Sequence, residues 1–551
     1  MLRSLTQAIL AVFCTSLLVS QSFSQDFDER FSDWPIDLKI EGRLVLARSM
    51  KDLFPIGELV SRSDREGAVA LLCDQADAKQ LKEQYAKVFS EVTVVHSLRE
   101  WEKLSEDQVL AWHHSQHFQT KHQYLDRHAR LIRKQIESGK TVVVIGGAAR
   151  WCGRCYLANS QSHPTIASGI NLLPDCVLQV DYQAERDQAR LLSVLASQKH
   201  SVGIGLEAQT ALLLSGRKVI VAGEGKATFL LTSNDRTPNR IESIAPRSRT
   251  RRQRATEYLV DLTEWRRDAI DRSLEQFPAA DPRTPNVEEG TLFIVGGGGM
   301  PQGLMDDFVE AAGGKEGAKL VYVPCSEEDS VGETQRMVQL WERMGVKSAS
   351  FIHTKDRNKA NKDESFYAPL KDATGIWFGG GRQWNFSDSY YGTKTHALMK
   401  EVLARGGAIG GSSAGASIQA RYLCRATPIE NFRPMAPGYE RGGLGFISGV
   451  AIDQHFAQRR RFKDMTSLVN RYPQLLGIGI DEATAIVVRK SRADVVGRGK
   501  VHFYNRDLPV YPDQPDFLAL EAGESYDLAE RKQLIVEPSG NGIAEEEVDA
   551  N

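Results

Sequence analysis

The chain has 551 residues, 41% of them hydrophobic and 25% charged. At about 100–200 residues per domain this predicts two to four domains, each large enough to bury a core. The composition excludes wholesale disorder and a collagen-like repeat. A formal net charge of −2 argues against a dedicated nucleic-acid binder, which would carry a strongly basic domain.

Residues 1–24 read as a signal peptide. Arg3 supplies a positive n-region, and the mostly apolar run from Ala8 to Val19 is too short to span a bilayer. Ser22 and Ser24 put small residues at −3 and −1, so cleavage is expected before Gln25. Bulky Phe13 before Cys14 argues against a lipid anchor. The expected location is secreted or periplasmic, with no membrane association beyond this segment.

Six cysteines follow: Cys73, Cys152, Cys155, Cys176, Cys325 and Cys424. Export permits disulfides without specifying their pairing. His113, His114 and His117 fall in a stretch read as helical, with His113 and His117 on one face. No carboxylate or cysteine stands at a ligand position beside them, so no metal site is expected. Trp151-Cys152-Gly153-Arg154-Cys155 has the spacing of a thioredoxin-type pair. It reads as lying after a strand and before a helix, whose N-terminus would lower the Cys152 pKa. The plainer reading is a structural disulfide or buried thiols. Arg247, Arg249, Arg251, Arg252 and Arg254 form a basic run, read as a solvated loop or a dock for an anionic polymer.

Residues 277–289 form a linker. Pro278, Pro282 and Pro285 lie close together with no apolar periodicity, which rules out an element interior. Beyond it, Thr291–Val295 reads as a buried strand ending in Gly296-Gly297-Gly298-Gly299. Lys319–Val323 reads as a strand, Gly332–Met344 as a helix, Gly375–Phe378 as a strand and His396–Ala404 as a helix. Ala408–Gly411 reads as a strand running into another helix. This alternation predicts an α/β domain on a parallel sheet. The segment 538–551, with Glu545-Glu546-Glu547, reads as a disordered tail.

An internal repeat links the two halves. Ile145-Gly146-Gly147 matches Ile409-Gly410-Gly411. Gly203-Ile204-Gly205-Leu206 matches Gly477-Ile478-Gly479-Ile480. Ala222-Gly223-Glu224-Gly225-Lys226 matches Val496-Gly497-Arg498-Gly499-Lys500. Order and spacing agree, so two copies of one α/β domain are expected, over 26–276 and 290–537.

Gly411-Ser412-Ser413-Ala414-Gly415 fits G-x-S-x-G between a strand and a helix. Small neighbours permit a sharp turn that projects the Ser413 hydroxyl clear of the sheet and points the Ala414 amide at a developing oxyanion. A serine hydroxyl needs a base. His455 in Asp453-Gln454-His455-Phe456 offers one at a strand end. Asp481 or Glu482, also at a strand end, would hold the imidazole in its working tautomer. The chain order Ser, His, acid differs from the Ser, acid, His of α/β-hydrolases.

Gly410 to Ala416, then Asp453-Gln454-His455-Phe456-Ala457-Gln458-Arg459, then Gly479-Ile480-Asp481-Glu482-Ala483-Thr484-Ala485 closely resemble the cyanophycinase family, whose smaller relatives are aspartyl dipeptidases. The resemblance covers about residues 290–510. It implies a flavodoxin-like fold akin to class I glutamine amidotransferases, with helices on both faces of a parallel sheet. It implies hydrolysis of cyanophycin, a poly-aspartate with arginine on its side chains, to β-aspartyl-arginine, with no cofactor. By the same resemblance Ser413 is nucleophile, His455 base and Glu482 its acid partner. Gly380 or Gly381 joins Ala414 in the oxyanion hole, and Gln383, Asp453, Gln454, Arg459 and Arg461 line the substrate groove. Arginine grips carboxylate bidentately and acids hold guanidinium, so these residue types suit such a polymer. Cyanophycinases often carry a further arginine where this chain has Asp464, which bears on the substrate more than on the reaction.

Aligning the repeats puts Ala149 opposite Ser413, Asp181 opposite His455 and Ala208 opposite Glu482. The separations from 181 to 208 and from 455 to 482 are both 27. The first copy is therefore expected to be catalytically dead and to pack against the active copy or bind polymer. Two alternatives stand beside the main reading: a peptidase for other aspartyl or isoaspartyl peptides, and a secreted polymer-binding protein. A homodimer is left open.

Overall fold

The computed structural model describes residues 40–49, 67–73, 75–101, 103, 109–114, 122–158, 165–198, 200–246, 259–332, 335–428 and 433–535. The signal peptide, His117, the arginine run 247–254 and the tail 538–551 lie outside the described residues. The described residues divide into two compact units. The N-terminal unit holds those up to Phe277 and those of Thr427–Tyr439. The C-terminal unit holds Pro278–Ala426 and those from Glu440 on. The sequence-based limits 26–276 and 290–537 do not anticipate this excursion. Its anchor in the N-terminal unit is Tyr439, whose ring faces the Arg267 guanidinium at 4.4 Å and whose hydroxyl bonds Arg217.

In the N-terminal unit the strands are β1 (Arg43–Ala47), β2 (Ala68–Leu72), β3 (Glu91–Val95), β4 (Val109–His114), β5 (Thr141–Gly146), β6 (Gly153–Ala158), β7 (Thr165–Ser168), β8 (Leu173–Val180), β9 (Val202–Leu206), β10 (Thr210–Ser215), β11 (Lys218–Gly223), β12 (Ala227–Leu231), β13 (Arg240–Ile244) and β14 (Leu259–Asp261). Helix α1 (Gly147–Arg150) follows β5, and α2 (Ala184–Ser197) follows β8. Among the described residues one sheet runs β14-β11-β10-β1-β5-β4-β2-β3 and a second β13-β12-β9-β8-β6-β7.

In the C-terminal unit the strands are β15 (Val287–Val295), β16 (Lys319–Val323), β17 (Ser348–Phe351), β18 (Gly375–Phe378), β19 (Ala408–Ser412), β20 (Ala420–Tyr422), β21 (Ile447–Gln454), β22 (Leu476–Ile480), β23 (Thr484–Lys490), β24 (Arg492–Gly497), β25 (Val501–Tyr504), β26 (Leu518–Leu520), β27 (Ser525–Asp527) and β28 (Lys532–Leu534). The helices used below are α3 (Arg336–Met344), α4 (Lys394–Ala404), α5 (Ala414–Ser417) and α6 (Phe462–Arg471). One sheet runs β17-β16-β18-β19-β15-β23-β24-β27-β28 and a second β20-β21-β22-β25-β26.

The fold is α/β, but the expected all-parallel sheet is corrected. From β17 to β15 the strands are parallel. From β23 onward they are antiparallel. Antiparallel neighbours need only short hairpins, as between β23 and β24, where a parallel pair needs a crossover. Phe293 and Val295 of β15 pack with Phe308, Trp341 of α3 and Trp377 of β18 in one buried cluster, and α4 runs against β15, β18 and β19.

Candidate active site

β19 is buried along most of its length, so its end is rigid where the chain must turn. At that end Ser413 caps α5 with φ 57 and ψ −113. A non-glycine residue there carries about 1–3 kcal/mol of strain, held only by tight surroundings. Backbone packs directly on backbone around it. A Cβ on Gly411 would stand 2.2 Å from the Gly415 carbonyl oxygen, and one on Gly415 2.2 Å from that of Phe378. The Ser413 amide donates to the Val295 carbonyl at 3.0 Å.

The turn places Ser413 Oγ 2.9 Å from His455 Nε2, and His455 Nδ1 lies 2.6 Å from Glu482 Oε1. These side chains come from beyond three strand ends: β19, β21 and β22. Strands β21 and β22 pair in parallel with Gln454 opposite Ile480, which sets His455 and Glu482 side by side. The carboxylate only accepts, so the imidazole proton sits on Nδ1 and Nε2 accepts the serine hydroxyl.

The tetraglycine after β15, read from sequence only as a strand end, is part of this site. A Cβ on Gly297 would lie 2.3 Å from His455 Cε1, and one on Gly298 would lie 2.5 Å from Glu482. Gly296 accepts from the His455 amide at 2.8 Å, and Gly297 accepts from the Ala483 amide at 2.7 Å. The signal was the run of glycines itself, longer than a tight turn needs.

Burial depresses the His455 pKa below its ordinary value. The bond to Glu482 works against that, and the charges of Arg459 and Arg461 add to it. The imidazole is therefore neutral at neutral pH, with Nε2 free to take a proton. Of the two acids left open by sequence, Glu482 makes the contact. Asp481 instead accepts from the amides of Ala457 and Lys500 and from His502 Nε2. Burial pushes its carboxyl up, but those bonds outweigh it and hold it below the usual range.

Ala414 opens α5, so its amide has no intrahelical partner. Gly380 lies beside the serine, since a Cβ there would sit 3.5 Å from Ser413 Cβ. Gly381 packs on Cys325 instead.

The five groove residues divide. Asp453 is buried, accepting from Arg461 Nη1 at 2.5 Å and Arg425 Nε at 2.7 Å. Gln383 is buried and donates to the carbonyls of Cys424 and Arg425. Both are held by protein. The Gln454 side-chain oxygen is buried with no partner among the described residues. Arg459 is exposed, with its amide on the His455 carbonyl at 3.1 Å. Arg425 was missed. It bridges Asp453 to Asp464, at 2.6 Å from the latter, so Asp464 pairs with a cation from elsewhere in the chain.

In the N-terminal unit the structure corrects the readings of Ala149, of Cys152 and of His113 with His114. The turn after β5 is taken by Gly146, with φ 72 and ψ −137, rather than by Ala149, which lies within α1. Asp181, with φ 65, follows β8 and pairs with Arg48 at 3.1 Å. Cys152 follows the short α1 and precedes a strand, not a helix. Its burial raises the thiol pKa, and Cys152 and Cys155 are free thiols. His113 and His114 end strand β4 and are not helical.

Residues 292–496 match the model of peptidase family S51. The cyanophycinase of Trichormus variabilis is 27% identical over 251 residues, 44% of this chain and 82% of that one. The cyanophycinase of Geminocystis herdmanii is 28% identical over 200 residues, 36% of this chain and 73% of that one. A solved peptidase from an acI-B1 Actinobacterium is 26% identical, with a TM-score of 0.32, covering 43% of this chain and 97% of that one.

Proposed function

On the premise that residues 292–496 belong to peptidase family S51 and make this chain a serine-type peptidase, we propose that its substrate is cyanophycin, cleaved to β-aspartyl-arginine through an acyl-enzyme on Ser413. The observation that carries the mechanism is the unbroken path from Ser413 Oγ through His455 to Glu482.

Ser413 Oγ attacks the scissile carbonyl carbon while His455 Nε2 takes its proton. Glu482 stabilises the imidazolium and holds the ring. The amides of Ala414 and Gly380 receive the charge on the carbonyl oxygen. The imidazolium then protonates the leaving amine, and water repeats the sequence to release the acid. Arg459 is exposed beside the histidine and would grip a substrate carboxylate. The Gln454 oxygen, buried without a partner among the described residues, would accept from a guanidinium that reached it. Asp453 and Arg461 hold each other, and Gln383 holds the Cys424 and Arg425 carbonyls, which fixes the groove's shape.

Mass analysis of products from purified protein and insoluble cyanophycin tests the substrate, with β-aspartyl-arginine expected. Turnover of a small activated ester without any action on the polymer would retain the chemistry and overturn the substrate. We also infer that the chain is exported and that the N-terminal unit is a copy without a triad. The signal-like segment supports the first, and the matching strand orders support the second. N-terminal sequencing of the protein from its native cells, with Gln25 first, tests export.

A further inference from the structure

The N-terminal unit has a cavity of about 290 Å³ at the turn between β5 and α1. Its lining includes Gly146, Arg150, Asp181, Arg186, Asp187 and Arg190. Three of the charges are answered within the protein. Asp181 pairs with Arg48. Arg186 grips Asp187 with Nε and Nη2, at 2.9 and 2.7 Å, and also donates to the Asp181 carbonyl. Asp187 further accepts from the Gln183 amide at 2.9 Å.

Arg150 and Arg190 are different. Neither forms an ion pair within 4 Å among the described residues, although the Arg190 charge acts on the nearby Asp187. Arg150 Nε and Arg190 Nη2 are buried with no acceptor. The Tyr156 ring lies 5.6 Å from the Arg150 guanidinium carbon. A guanidinium stays charged at any working pH, and a buried N–H without an acceptor costs about 1–3 kcal/mol. Two charged guanidinium groups lining one cavity, neither of them in an ion pair, favour an anion there.

We propose that this cavity binds a small carboxylate, gripped by Arg150 and Arg190. The planar fork of each guanidinium matches two carboxylate oxygens, and the volume suits a molecule the size of an acidic amino acid or short acidic peptide. With Gly146, Asp181 and Ala208 where a serine, histidine and glutamate would be needed, the ligand is bound without being cleaved. The proposal does not depend on which polymer the C-terminal unit hydrolyses.

Succinate is the probe, because it has no amide to cleave. Calorimetry on the full-length chain should give saturable binding, and succinate should raise the melting temperature by mass action. Arg150→Gln and Arg190→Gln should each weaken binding about tenfold or more, the size expected for one lost charge-assisted contact. Both should leave peptide turnover at Ser413 unchanged. The residues sit on different helices, so one variant serves if the other misfolds. No saturable binding by the folded chain, or binding equally tight in a folded variant, would overturn the proposal.

Discussion

The two units build the same corner and fill it differently. After β19 the chain turns at Ser413 with φ 57; at the end of β5 it turns at Gly146 with φ 72. After β21 stands His455 with φ 50, and after β8 stands Asp181 with φ 65. The next residue is aromatic in both. Phe456 donates to the Ile480 carbonyl at 3.1 Å, and Tyr182 to that of Leu206 at 2.8 Å. Each ring lies over a glycine of the repeated Gly-Ile-Gly pattern. A Cβ on Gly479 would meet Phe456 at 2.6 Å, and one on Gly205 would meet Tyr182 at 2.5 Å. The shared Gly-Ile-Gly spacing thus marks one packing rule, a ring seated on bare backbone. It holds whether or not the adjoining side chains do chemistry.

What separates the units is a handful of side chains, so each can be removed to see whether the difference lies there. The largest effect is expected from Ser413→Ala. It makes the C-terminal turn resemble that at Gly146 while leaving His455 and the oxyanion amides in place. Turnover should fall by about four to six orders of magnitude. Activity near wild type in pure protein would break the contrast and move the nucleophile elsewhere.

Glu482→Gln comes next, since the spacing in the sequence sets Ala208 opposite it. Losing the carboxylate leaves the imidazole free to adopt the wrong tautomer, and kcat should drop about 10⁴-fold. Asp481→Asn is the control. Its carboxylate serves two amides and His502, so it should lower the melting temperature with a smaller loss in kcat. A larger kcat loss from Asp481→Asn would reverse the two roles.

Gly297→Ala tests the tetraglycine, which has no counterpart after β1, where Arg48 reaches Asp181 instead. A methyl group at φ 95 would stand 2.3 Å from His455 Cε1. The imidazole must shift, and a displacement of about 1 Å can cost about 10²-fold in kcat. An unchanged kcat in the folded variant would show that the loop gives way instead.

Legibility in sequence followed the reach of each interaction. β16 and β18 match their expected limits because each is a short apolar run bounded by breakers. The helix expected from Gly332 begins at Arg336; glycine is a poor start for a helix interior. β17, at the sheet edge with the sequence Ser-Ala-Ser-Phe, has too little apolar pattern to announce a strand. Ser413, His455 and Glu482 were legible because each lies just past an apolar strand, among small or polar residues. Arg425 was not. Its contacts with Asp453 and Asp464 span 28 and 39 residues and leave no local periodicity. The Cys152 motif misled because α1 has only four residues, too few to carry a helical pattern. Gly153 then packs on the Cys176 carbonyl, where a Cβ would lie at 2.6 Å, and the chain continues as strand.

The smallest effect sharpens the contrast between His455 and Asp181 by asking how the histidine is kept neutral. Burial lowers its pKa first, and the positive charges of Arg459 and Arg461 lower it further. A depressed pKa keeps the base form present to lower pH, so kcat/KM should fall on the acid side with a midpoint below the ordinary histidine value of 6.5. Arg459→Gln removes one charge that opposes the imidazolium. The folded-state pKa then rises, and the acid limb moves toward higher pH, while the rate on the neutral plateau is unchanged. A neutral ester is the right substrate, since it offers no carboxylate for Arg459 to grip. Arg459 is exposed, so its field is screened. High salt should therefore shift the wild-type limb in the same direction and shrink the gap between wild type and variant. Arg461 is locked on Asp453 and cannot be removed as cleanly. A limb that stays put in Arg459→Gln at low salt would mean that Arg459 has no part in setting the His455 pKa.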